Sequence, residues 1–193
     1  MNSRKTNDEG FTGLEAAIVL IAFVVVAAVF SYVVLGAGFF TTQKAQETVY
    51  KGVEQSTANI QMIGNVYGLS TDYATTNGNI TEVKFSIGLA PGAPSIDLSK
   101  MKIVFSTPDS APVILAQNNT VVASTTTFTT KINGATATNS MDANQQVEID
   151  FLIAGNTVHP NTKMNIELRP SVGAALPFSK TAPATITATN VLY

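Results

Sequence analysis

The feature that most constrains this chain is residues 11–40, FTGLEAAIVLIAFVVVAAVFSYVVLGAGFF, where a single charged residue, Glu15, is followed by none until Lys44. The 28 uncharged residues from 16 to 43 span about 42 Å as a helix, whereas about 20 apolar residues suffice to cross a bilayer. Ile18, Val19, Leu20, Ile21, Phe23, Val24, Val25 and Val26 leave no polar stripe at a 3.6-residue period. A helix of this kind needs apolar surroundings on every side, supplied by lipid or by other protein.

The preceding residues, MNSRKTNDEG, are hydrophilic and end in Gly10 directly before the apolar run. A secretory signal has the opposite order, with its apolar region placed ahead of a small-residue cleavage site and discarded with it. No such site follows the run here. A peptidase acting on this chain is expected to cut between Gly10 and Phe11 and to leave the apolar segment on the mature protein.

The basic leader with Arg4 and Lys5, Gly10, and then Phe11-Thr12-Gly13-Leu14-Glu15-Ala16-Ala17 running on without charge to Phe30 resemble the archaellins. These are subunits of the archaeal swimming filament, which is built like type IV pili. The resemblance covers roughly residues 4–65. It implies a prepilin-peptidase-like enzyme that cuts after Gly10, an assembly machine driven by a cytosolic ATPase, and polymerisation with copies of the same chain or with other archaellins. It also implies a precursor in the cytoplasmic membrane and a mature filament outside the cell. Leu14, Ile18, Ile21, Val25, Phe30, Leu35 and Phe39 would then pack the filament core.

Two residues at the junction carry two readings each. Thr12 and Glu15 fit a capping box, in which Thr at the N-cap and Glu three residues later satisfy free N–H groups at a helix start. By the resemblance, Glu15 instead pairs with the amine freed at Phe11, since a carboxylate carried into an apolar bundle needs a partner. Phe11 is either a hydrophobic staple beside that cap or a free terminus that requires cleavage.

Beyond the apolar run the pattern turns amphipathic. Val49, Val53, Ile60 and Ile63 recur at helical spacing, and Glu47 stands four residues before Lys51 in the favourable order. No proline occurs before Pro91, so one helix is expected over 11–66, followed by a linker at 67–79 rich in Gly, Ser, Thr, Asp and Asn. Gly36 and Gly38 cost about 1 kcal/mol each relative to Ala in a helix, which favours a packing role or a bend over indifference.

From residue 80 the period becomes 2. Val83-Phe85-Ile87-Leu89, Met101-Ile103-Phe105, Val147-Ile149-Phe151-Ile153 and Met164-Ile166-Leu168 alternate with mostly polar neighbours. Val113 to Leu115, the Thr-rich run from Thr120 to Ile132, and Ala184 to Leu192 add three more candidate strands. About seven strands with no intervening helices predict an α+β chain, a long N-terminal hydrophobic helix followed by an antiparallel immunoglobulin-like β-sandwich over 80–193.

Function classes narrow accordingly. A net charge of −2 with no Lys/Arg cluster beyond the leader argues against nucleic-acid binding, and the absence of cysteine excludes disulfides and thiol chemistry. His159, the only histidine, precedes Pro160 in an expected turn, and no nucleophile elbow, P-loop, dinucleotide fingerprint or zinc-protease motif is present. Neither catalytic residues nor a cofactor are expected. Asp97, Asp109, Asp142, Glu148 and Asp150 could offer oxygen ligands to a hard cation such as calcium, with Glu148 and Asp150 on one strand face, but no loop has EF-hand spacing and a solvated acidic surface without a metal is the expectation. Two sequons, Asn79-Ile80-Thr81 and Asn118-Asn119-Thr120, are candidates for N-glycosylation in an exported domain.

The expected function is structural: a subunit that polymerises through its N-terminal helix into a filament for motility. A type IV-like adhesion pilus subunit and a single-pass membrane-anchored β-sandwich binding protein are the alternatives.

Overall fold

The computed structural model describes residues 6–71, 78–120, 122–155 and 158–193, with the backbone alone for 6–12. They form two compact units that divide after Lys51.

The first is dominated by helix α1 (Thr6–Thr57), 52 residues without a proline. Valine-rich segments have modest helix propensity in water, but in an apolar medium only a helix satisfies every backbone group within one segment. The threonines of α1 fit the same logic. Thr41, Thr42 and Thr48 donate their hydroxyls to the carbonyls of Ala37, Gly38 and Lys44 at 2.8 to 2.9 Å, so these three hydroxyls need no water as acceptor. The first charges after the apolar run neutralise one another locally, with Glu47 bridging Lys44 at 2.7 Å and Lys51 at 2.8 Å.

The helix boundaries differ from those expected. It begins at Thr6, so Thr12 lies inside the helical backbone and does not cap its start in the intact chain. It ends at Thr57, not at 66, because the next residues are claimed by a sheet. Ile60, Gln61, Met62 and Ile63 pair with Leu89, Gly88, Ile87 and Ser86, and the Ala90 N–H donates to the Asn59 carbonyl at 3.0 Å. Ile60 and Ile63 therefore belong to a strand, as do Tyr67 to Leu69 of the expected linker. Residues 72–77 of that linker lie outside the described residues.

The second unit holds β1 (Ile60–Leu69), β2 (Glu82–Leu89), β3 (Ile96–Asp97), β4 (Lys102–Thr107), β5 (Ser110–Gln117), β6 (Thr127–Ile132), β7 (Thr136–Ala137), β8 (Ser140–Met141), β9 (Gln146–Leu152), β10 (Lys163–Arg169), β11 (Leu176–Thr181) and β12 (Thr189–Leu192). The main sheet runs β11-β10-β4-β5-β6-β9-β2-β1-β12, with β7 beside β6, while β3 and β8 pair separately. All pairings are antiparallel except β5 with β6, a parallel joint of two residue pairs, Ala116 with Thr127 and Gln117 with Phe128.

That short joint is where the sheet folds over. Phe85 of β2 meets Phe178 of β11 edge to face at 5.4 Å, and Phe105 of β4 meets Phe151 of β9 at 5.6 Å. Strands distant in the path thus face each other across one core, as in a sandwich. The ends of the path also meet, because Thr181 and Tyr193 exchange backbone hydrogen bonds at 2.6 and 3.3 Å. Val83, Phe85 and Ile87 of β2, Ile103 and Phe105 of β4, Val147, Ile149 and Phe151 of β9, and Met164, Ile166 and Leu168 of β10 all point inward and are buried. The two in-strand prolines sit where a missing N–H does least harm: Pro112 within the register break of β5, and Pro177 on edge strand β11.

Two glycines are needed for their backbone. Gly64, at φ +75°, allows the irregularity between Ile63 and Tyr67 that turns the second half of β1 to its correct face. Gly173, at φ +98° in the β10–β11 connection, brings its Cα so close to the Ala58 carbonyl that any Cβ would collide with it. Gly173→Ala therefore combines strained backbone with overpacking and is expected to destabilise the β-unit by about 2–4 kcal/mol, read as a lowered Tm of the full-length protein.

Candidate assembly surface

Every described residue of α1 from Gly13 to Thr57 is exposed. Leu14, Ile18, Ile21, Val25, Phe30, Leu35 and Phe39, the residues expected to pack a filament core, are each between 55% and 69% exposed. Such exposure of contiguous large apolar side chains marks an interaction surface. Spacings of three, four and seven residues place Leu14, Ile18, Ile21 and Val25 on one seam, which Leu35 and Phe39 extend after a drift in angle. Phe30 points away from this seam, so apolar contact is needed on more than one side.

Beside Phe30 the surface is indented. Gly38 floors a shallow groove walled by Phe30, Val34, Leu35 and Phe39. Apart from the chain neighbours and the backbone of the surrounding turns, no atom of the described residues lies within 4 Å of where a Cβ would stand at Gly36 or Gly38. Packing within the chain thus gives no reason for either glycine. Ser31, Gly38, Ala45 and Gly52, at seven-residue steps, continue the small-residue line along the helix. Small residues of this kind let helix backbones approach when no hydrophobic drive exists between them.

At the junction, Gly10 and Phe11 are in continuous helical backbone, and the side chains of Phe11 and Thr12 lie outside what the structure describes. Glu15 is exposed, with no other charge along the helix until Lys44.

On the β-unit the two sequons differ. Asn79 is only 6% exposed, and its Oδ1 is buried without a hydrogen-bond partner among the described residues. Asn118 is half-buried in a turn where its Oδ1 accepts from the Thr120 N–H at 3.0 Å and from the Thr120 hydroxyl at 2.7 Å, and its amide nitrogen makes no hydrogen bond among the described residues. The neighbouring Asn119 anchors the turn, its Nδ2 donating to the Thr138 carbonyl at 2.6 Å and its Oδ1 accepting from the Thr130 N–H at 2.8 Å.

His159 is exposed ahead of β10. Asp97 caps the short 3-10 turn Leu98–Lys100 by accepting from the Ser99 N–H at 2.9 Å, and it also reaches Lys100 at 3.3 Å. Among the described residues, no three His, Cys, Asp or Glu side chains form a group that could hold a metal. One acidic residue departs from the expected solvated surface: Asp150 is buried, at the edge of a recess that it lines together with Asn119, Thr120, Val122 and Ala123. Alternation along β9 placed it on the outer face correctly but could not reveal that it is buried there.

Comparison with known proteins decides what this arrangement belongs to. The family model described as archaeal-type flagellin matches residues 10–180. The chain belongs to that family. It is 41% identical over 197 residues to probable flagellin 1 of Archaeoglobus fulgidus, covering 96% of each chain, and 34% identical over 201 residues to probable flagellin 2 of the same organism. Its structure matches that of the archaeal flagellum of Methanospirillum hungatei with a TM-score of 0.70 and 32% identity, over 94% of this chain and 99% of that one. Flagellin FlaB1 of Methanocaldococcus jannaschii, at 16% identity and a TM-score of 0.58, shares the fold. The long helix with its uncovered apolar surface, joined to a β-sandwich, is thus a property of an archaeal flagellin.

Proposed function

We infer that the chain is a structural subunit of the archaeal swimming filament, polymerising through α1, with no catalytic role. The observation that carries this reading is the helix: apolar around its circumference over the charge-free run and exposed from Gly13 to Thr57, in a member of the archaeal-type flagellin family. Full-length similarity to a flagellum subunit favours motility over an adhesion pilus or a monomeric membrane-anchored binding protein.

Assembly follows from solvation. As a precursor the helix resides in the cytoplasmic membrane, where its charge-free stretch exceeds the apolar thickness. The leader carries Arg4, Lys5, Asp8 and Glu9, and docking with it attached would draw four charges toward an apolar bundle. A prepilin-peptidase-like enzyme removes it after Gly10, and Glu15 then pairs with the new Phe11 amine. In the shortened chain the helix begins beside Thr12, which restores the capping role that the intact chain lacks.

Moving from lipid into a bundle of like helices exchanges one apolar environment for another. Close packing along the glycine and alanine seams, contacts between β-units and ATP hydrolysis by the assembly machinery supply the drive. A contact that repeats without closing yields a helical filament on the cell surface rather than a ring.

Of the two sequons, Asn118 carries a glycan and Asn79 does not. A sugar attached at Asn79 would have to displace the packing around a buried side chain, whereas the Asn118 amide is held in a turn near the surface.

Three outcomes are expected. Mature subunits from sheared filaments begin at Phe11 by N-terminal sequencing; a terminus at Met1 or Asn2 in assembled material defeats the proposal. Gly38→Leu leaves the β-unit fold unchanged by circular dichroism but lowers filament yield at least about tenfold, the factor that a loss of about 1.4 kcal/mol per docking step gives. Intact-mass measurement of native filaments shows glycan mass that Asn118→Gln removes and Asn79→Gln leaves in place.

A further inference from the structure

Asp150 stands at the centre of β9, directly opposite Lys84 of β2 on one side and Thr129 of β6 on the other. Although its side chain lies on the outer face of the sheet, the residue is only 7% exposed. The Lys84 ammonium is 2.9 Å from Glu82 Oε1 but 3.7 Å from Asp150 Oδ2, so its short contact is with glutamate. Asp150 Oδ1 and the Thr129 hydroxyl are buried with no hydrogen-bond partner among the described residues. The charged groups facing Asp150 are Glu82 and Lys84 from β2, Lys131 from β6 and Glu148 from β9 itself. Asn119, Thr120, Val122, Ala123 and Ala137, which line the pocket with it, add no charge.

An ionised carboxylate with one oxygen buried and unpartnered, beside a second carboxylate that holds the short lysine contact, is strongly disfavoured. Protonation removes the second negative charge and gives Asp150 a hydrogen to donate to Glu82. We propose that Asp150 and Glu82 share one proton across β2 and β9, and that this makes the β-unit a pH-sensitive element whose central strands loosen when the proton leaves.

The electrostatics have the same direction. Burial first, then the hydrogen bond and negative charge of Glu82, push the Asp150 carboxyl up to about 7, against the opposing pull of Lys84 and Lys131. For Glu82, burial acts upward as the largest single influence. Its hydrogen bonds with Asp150 and Lys84, together with the charges of Lys84 and Lys131, outweigh burial and hold it below its ordinary value. The two titrate as a unit.

The signs then separate by pH. Between the ordinary aspartate value of 3.8 and about 7 the folded chain holds a proton that the unfolded chain has lost. Stability therefore falls as pH rises through that window and stays reduced above it. Glu82 contributes with the opposite sign, but its contribution is lost only as pH falls below its ordinary value of 4.5. From mildly acidic to mildly alkaline conditions, Asp150 is the one of the two whose contribution changes.

The test uses native full-length protein. Infrared difference spectra between about pH 6 and about pH 8 should show a protonated-carboxyl carbonyl band at the lower pH that is gone at the higher. Thermal unfolding should give a Tm that falls by several degrees over the same interval in the natural chain and stays level in Asp150→Asn, whose amide cannot ionise. Absence of the infrared band at the lower pH, or an equal fall of Tm in Asp150→Asn, overturns the proposal. The infrared arm needs no variant and decides the matter even where Asp150→Asn does not fold.

Discussion

A helix with apolar side chains all the way round and no covered face cannot remain in water. Each of its large side chains withholds about 1.5–3 kcal/mol of burial free energy until it finds an apolar neighbour. Within the helical unit nothing covers the described side chains from Gly13 onward, so the neighbour must come from outside that unit. Most other features of α1 follow from this need. Threonine hydroxyls bond back to the helix, Glu47 neutralises two lysines where charge first returns, and small residues line a path that another helix can approach.

The β-unit solves its own stability without cystines. Its core is filled by inward-facing residues from opposed layers, with two edge-to-face phenylalanine pairs binding the layers together. Closure comes from the Thr181–Tyr193 backbone exchange, and proline occupies positions where an edge or a register break needs no further N–H donor. Polar groups are satisfied around Asn119 and Thr130, whereas Asn79, Thr129 and Asp150 each keep a buried side-chain oxygen with no partner among the described residues, and of these three only Asp150 can ionise.

How far the sequence could be read depended on whether a local pattern was uninterrupted. The apolar run and the strict alternation of β2, β4, β9 and β10 are regular over their lengths and led directly to a helix and to inward-facing core residues. β1 was hidden because the irregularity after Ile63 breaks its period of 2, and because Val53, Ile60 and Ile63 happen to continue helical spacing. The two-residue strands β3, β7 and β8 are too short to show any period. β11 has proline and a pattern of half-exposed residues that reads as loop. At the surface, sequons are visible as motifs, but the burial that distinguishes Asn79 from Asn118 depends on chain segments far away in sequence. The same holds for Asp150, which shares a recess with residues some thirty positions earlier.

The pairing of β1 with β12 places Val66 opposite Leu192 and Tyr67 opposite Val191, partners from opposite extremes of the β-unit. Contacts so remote along the chain are slow to form and cannot be made during synthesis until nearly everything else has been made. A hydrophobic N-terminal helix, by contrast, is available to a membrane as soon as it emerges. The order of formation is therefore built into the topology: α1 forms from contacts within one local stretch, whereas the sheet closes only once residues 189–192 have reached β1.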